Sequence, residues 1–129
     1  MITKKRDYLY ILFRVLVGFT FFIHGSGKLL GWFGGNVVDY SLSNILFYAG
    51  IIETIGGALI ILGLFVRPIA FITAMEMLVV LYRAHLPRGL NPLQNGGEPA
   101  LLFFAAFLVL LAYGSGKLAL GNLFRNKKL

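Results

Sequence analysis

The chain has 129 residues, 58% hydrophobic and 13% charged, with a mean hydropathy of +0.82. That charged share is about half the soluble average, and the length suits one domain with no room for a soluble catalytic domain beside membrane spans. The absence of cysteine excludes disulfides, thiol relays and thiolate metal sites within this chain; the net charge of +7 gathers near span ends, where it orients the protein and meets anionic lipid rather than nucleic acid.

Residues 1–7 form a basic leader with Lys4, Lys5 and Arg6, followed by an apolar run over 8–23. A cleaved signal peptide competes for this stretch, because Gly25-Ser26-Gly27 offers small residues after an apolar segment. Arg14 in the middle of the run favours a first transmembrane helix instead. At about 100° per residue, Arg14, Gly18, Phe21, Gly25 and Lys28 share one face of it. Residues 24–44 read as a glycine-rich connector, HGSGKLLGWFGGNVVDYSLSN, with helical content around Lys28 and with Trp32 and Tyr40 suited to the membrane interface.

The second apolar run, 45–66, is ILFYAGIIETIGGALIILGLFV, long enough to cross a bilayer and interrupted by one acid, Glu53. Ser43 or Asn44 suits its N-cap. Ala49, Gly50, Gly56, Gly57 and Ile60 fall within about 60° of Glu53 on a helix. The acid therefore lies in a stripe of mostly small residues, the kind of face on which membrane helices pack. An acid turned toward lipid is costly, so the stripe should face a bundle interior. Arg67-Pro68 is expected to end this helix, with Pro68 in the first turn of the next.

A third span over 69–86 carries Glu76, with Thr73 and Arg83 on the same face and His85 near its exit. Residues 87–97 are rich in turn signals. Glu98 and Pro99 open a fourth span over 99–113, an arrangement suited to the first turn of a helix. Ala105, Val109, Ala112 and Gly116 line up below Glu98. The reading is an all-α integral membrane four-helix bundle formed by one domain over 1–129. Lys4, Lys5, Arg6, Arg67, Lys117, Arg125, Lys127 and Lys128 would lie on one side, and Lys28, Arg83 and Arg88 on the other. By the positive-inside rule both termini are then cytoplasmic.

The sequence GSGK occurs at 25–28 and again at 114–117. A phosphate-binding loop needs a glycine where Phe22 and Leu111 stand, and Ser or Thr after the lysine where leucine stands, so nucleotide binding is rejected. His24 and His85 raise haem ligation between helices, set against two polar residues at a wet interface. No acid–histidine spacing within a helix supports a metal site.

The polar groups of the spans give the strongest signal. At about 1.5 Å rise per residue from the cytoplasmic ends, Arg14 lies about 10 Å deep and Glu76 about 12 Å, a structural ion pair by depth. Glu53 at about 20 Å and Arg83 at about 22 Å make a second. Lys28, His24 and Glu98 belong near the outer mouth. Two readings stand for Glu53: an ion pair with Arg83, or a ligand-binding pocket lined by His24, Lys28, Glu53 and Glu98 in which Glu53 exchanges a proton.

Arg14 with HGSGKLLGWFGG after the first span, IETIGGALIILGLFVRP in the second and NGGEPALLFFA at the start of the fourth together resemble the DoxX family of small four-span membrane proteins. Glu76 and Arg83 fall outside these motifs. The resemblance implies a multi-pass protein of the cell membrane, the prokaryotic cytoplasmic membrane, and a link to quinone-linked redox chemistry or the oxidative-stress response. The relatives that name the family are small subunits associated with quinone-reducing thiosulfate oxidation; more distant ones are membrane chaperones or cargo receptors. Two functions follow. One is a membrane subunit without its own redox centre, with bound quinone as the candidate cofactor and a redox-enzyme subunit as partner. The alternative is a non-catalytic chaperone or carrier for a lipid or small hydrophobic molecule. Membrane lipid and a homo-oligomer are further expected partners, nucleic acid is not one, and whether the protein is an enzyme is left open.

Overall fold

The computed structural model describes residues 2–126, and the described residues are helical with no strand. In chain order they form α1 (Ile2–Leu30), a short 3₁₀ turn (Trp32–Gly34), α2 (Ile45–Leu62) and α3 (Val66–Val80). The third helix continues through one π-helical turn (Leu81–His85) and one 3₁₀ turn (Leu86–Arg88). Then come the single-turn α4 (Pro92–Asn95), α5 (Glu98–Tyr113) and α6 (Leu120–Asn126). Three helical stretches are long and apolar enough to cross a membrane, Lys4–Leu30, Ile45–Leu62 and Val66–Arg88. The helix α5, with 16 residues, is a shorter apolar one.

The chain divides into two compact units. The first joins residues 1–66 to 115–129, and the second is 67–114. In the first, α1 and α2 pack along facing glycines. A Cβ built on Gly18 would meet the carbonyl oxygen of Gly57 at 2.9 Å, and one on Gly57 would meet the Phe22 nitrogen at 2.6 Å and the Gly18 oxygen at 2.7 Å. Further along, a Cβ on Gly25 would strike the backbone of Glu53 and Thr54. One on Gly50 would reach the side chain of Leu29 at 2.9 Å. Each helix thus presents glycines seven residues apart, Gly18 with Gly25 and Gly50 with Gly57, and their backbones approach more closely than any side chain allows. The contacts run in opposite order along the two helices, so α1 and α2 are antiparallel.

The buried residues of α2 are Ala49, Gly50, Glu53, Gly56, Gly57 and Ile60, the stripe expected around the acid. On α1 the face of Arg14, Gly18, Phe21 and Gly25 is buried, with Lys28 half-buried. Outward residues of α1 are apolar: Leu12, Leu16 and Phe19 are 45–54% exposed, whereas Arg14 and Glu53 are each 3% exposed. Charge inside and hydrocarbon outside is the arrangement a bilayer stabilises. Buried hydroxyls are satisfied within their own helices, Ser26 donating to the Phe22 carbonyl at 2.7 Å and Thr73 to that of Ile69 at 2.8 Å.

Two helix ends and one buried face depart from the sequence expectation. First, α1 runs to Leu30, because Gly25 and Gly27 serve close packing rather than a turn. A Cβ on Gly27 would meet the Gly35 Cα and the Trp32 oxygen at 3.3 Å. Second, α2 ends at Leu62 rather than at Arg67-Pro68. Gly63, at φ +74°, bonds back to the Ile60 carbonyl at 3.1 Å, and Leu64 to that of Leu59 at 2.9 Å, a glycine-closed helix end. Pro68 then takes its expected place in the first turn of α3. Third, the buried face of α5 is Ala100, Phe107 and Leu110, whereas Ala105, Val109 and Ala112 are exposed. Glu98 is itself exposed at the helix start, so it marked the wrong face.

In the second unit, residues 85–98 are held by Asn95, which is 3% exposed. Its amide donates to the Gly89 carbonyl at 2.8 Å and accepts from the Gly97 N–H at 2.7 Å, and its own carbonyl bonds Nδ1 of His85 at 3.0 Å. Arg67 donates to the Ala112 carbonyl at 3.2 Å.

Candidate functional site

The site grows from two helices whose side chains lean toward each other. Side chains tilt toward the N-terminus of their helix. Lys28, in the last turn of α1, therefore reaches back along α1, while Glu53, in the middle of the antiparallel α2, leans to meet it. The ammonium lies 2.7 Å from both carboxylate oxygens of Glu53. Gly50 and Gly25 let the pair form: the first lets the stem of Lys28 pass (a Cβ there would meet the Lys28 Cβ at 3.3 Å), and the second brings the α1 backbone against Glu53. The Glu53 side chain is 4% exposed and that of Lys28 28%, so the pair is closed on the acid's side and open on the lysine's.

The end of α1 is held by the connector that follows. Its last carbonyls, normally left without partners, are taken by the Gly31 N–H on Gly27 at 3.1 Å, the Val38 N–H on Lys28 at 2.8 Å and the Tyr40 hydroxyl on Leu29. Gly35 presses against the Gly27 backbone so closely that a Cβ on it would lie 2.6 Å from the Gly27 oxygen. Residues 31–40 thus fix the turn that carries Lys28. The expectation of a glycine-rich connector with interfacial Trp32 and Tyr40 does not include this role at the end of α1; the glycines at 27, 31, 34 and 35 are the signal for it.

Other expected site residues fall as follows. His24 lies one turn before Lys28 on α1 and is exposed. Glu98 opens α5 in the second unit, where Glu76 is half-buried on α3 and Arg83 is exposed on the π-helical turn. Arg14 is buried in the first unit. It donates through Nη1 to the Ser115 carbonyl and through Nη2 to that of Ile61 at 3.3 Å, tying α1 to the end of α2 and to the returning C-terminal segment. That segment is further anchored by the Gly121 N–H on the Gly63 carbonyl at 3.3 Å and by a Lys117–Asp7 ion pair at 2.9 Å. The two GSGK copies differ in backbone. The first is helical inside α1, and the second is a turn with Gly114 and Gly116 at φ +72° and +76°.

A model of the DoxX family matches residues 9–86. An uncharacterized protein of Haemophilus influenzae is 39% identical over 133 residues, covering 96% of each chain. No solved structure matches. The apolar helices and the family together make this a membrane protein. The chain belongs to the DoxX family.

Proposed function

We propose that the protein is a membrane subunit associated with quinone-linked redox chemistry, without a redox centre of its own, and that the Lys28–Glu53 pair is its ligand-binding element. The observation that carries this reading is a charge pair inside an apolar helix interface, closed around Glu53 and open at Lys28. A quinone carbonyl meets the ammonium, and Glu53 accepts or delivers the proton that accompanies electron transfer by a partner enzyme. His24, one turn before Lys28 on α1 and exposed, is assigned to the same site in this proposal.

In this reading the chain crosses the cytoplasmic membrane of a prokaryote four times, α5 being the fourth span, with both termini cytoplasmic. The eight basic residues assigned to that side against three on the other support this orientation. Arg14, Glu76 and Arg83 serve the structure rather than the ligand.

Gentle purification from native membranes followed by mass spectrometry of extracted small molecules tests the reading. It requires a quinone at close to one per chain. Phospholipid alone would overturn it and favour a lipid carrier or membrane chaperone.

A further inference from the structure

The hydrogen-bonding capacity of the pair restricts what it can bind. An ammonium has three N–H donors and no acceptor. Lys28 spends two on Oε1 and Oε2 of Glu53, each at 2.7 Å, and among the described residues no protein group receives the third. The lysine is also the more exposed partner, 28% against 4%, so an incoming molecule meets a donor before the carboxylate.

A second observation points the same way. The carbonyl end of a helix attracts cations. At the end of α1 the carbonyls of Gly27, Lys28 and Leu29 already accept hydrogen bonds from Gly31, Val38 and Tyr40. A cationic headgroup would meet the ammonium before the carboxylate and find these carbonyls already hydrogen-bonded. A neutral or anionic acceptor would find an N–H.

We propose that the Lys28–Glu53 pair is a donor site that selects hydrophobic molecules with a hydrogen-bond-accepting headgroup, a carbonyl or a carboxylate, against those with a cationic one. This rests on the ligand-binding reading above and narrows it to a chemical class.

The full chain in phosphatidylcholine nanodiscs is titrated with decylubiquinone, palmitate and dodecyltrimethylammonium, with empty nanodiscs as the partition blank. At least one acceptor probe should bind about tenfold or more tighter than the cation, the worth of one hydrogen bond to a charged donor. The Lys28→Gln/Glu53→Gln double variant removes both charges while keeping similar size, and the ratio should fall toward one. If that variant does not fold, the ratio on the unaltered protein decides alone. Palmitate binding without decylubiquinone upholds the donor site and overturns the quinone reading. Equal or tighter binding of the cation overturns the donor site while leaving a ligand site in place, and a folded double variant that keeps the ratio overturns it too. No binding by any probe overturns both.

Discussion

Replacing Gly57 by leucine tests the packing that brings Lys28 and Glu53 together. The first added atom would lie 2.6 Å from the Phe22 nitrogen and 2.7 Å from the Gly18 oxygen, where ordinary contact begins at 3.4 Å. Both are backbone atoms of α1, so no rotamer change relieves the clash and the helices must part by several tenths of an ångström before the rest of the side chain is placed. Overpacking of this kind costs about 1–3 kcal/mol. Leucine returns part of it through a helix propensity better than glycine's by up to about 1 kcal/mol. Gly57 lies one turn from Glu53, so parting the helices also stretches the ion pair, and the net loss should be about 1–3 kcal/mol. Ala58→Leu, at the next residue and half-buried, should change stability by less than about 0.5 kcal/mol. Thermal or SDS-driven unfolding in detergent reads both. Equal midpoints for the two variants would refute the glycine-packed interface.

Other consequences follow from the same contacts. Tyr40→Phe removes the hydroxyl on the Leu29 carbonyl and should cost about 1 kcal/mol and speed amide exchange at Val38; unchanged exchange would dissociate the connector from the end of α1. Arg14→Lys gives up the fork that spans the Ser115 and Ile61 carbonyls and should hasten trypsin cleavage near Lys117, while cleavage at the parental rate would show that Arg14 does not hold the segment. Asn95→Ala leaves the Gly97 N–H and the Gly89 carbonyl without their partner and should cost about 1–3 kcal/mol, detectable as a lower unfolding midpoint. Single cysteines at Asn36 and Asn91 should react with an impermeant reagent from outside the cell and one at Asn126 should not; labelling of all three from one side would remove the four-span topology.

The face of α2 was legible because it carries a single acid among apolar residues: with Glu53 fixed inward, the small residues around it had to follow. The same logic worked on α1, where Arg14 and Lys28 mark the inner face. It failed on α5, where Glu98 sits at the helix start and is free to face outward, and the rest is apolar on every side, so periodicity carried little information. The end of α2 at Gly63 was signalled by a glycine near the end of the apolar run, but the run continues through Leu64, Phe65 and Val66, and Arg67-Pro68 is a louder stop signal that drew the boundary too late. Lys28 was placed near Glu53 in the pocket reading, while depth arithmetic put Arg83 level with the acid. Rise per residue does not register the reach of a lysine side chain, which lets a residue at the end of α1 bond the middle of α2.

The central claim is that Glu53 serves a ligand and not only the fold. It is tested most directly by measuring small-molecule occupancy and unfolding midpoint on the same purified Glu53→Gln sample. Glutamine keeps the size and a hydrogen-bonding amide while removing the charge. Lys28 is 28% exposed and so not fully buried, and the stability penalty should fall near the low end of the roughly 3–5 kcal/mol expected for a broken buried pair. The account predicts a folded variant that has lost its bound molecule; a folded variant with the occupancy of the parent would contradict it.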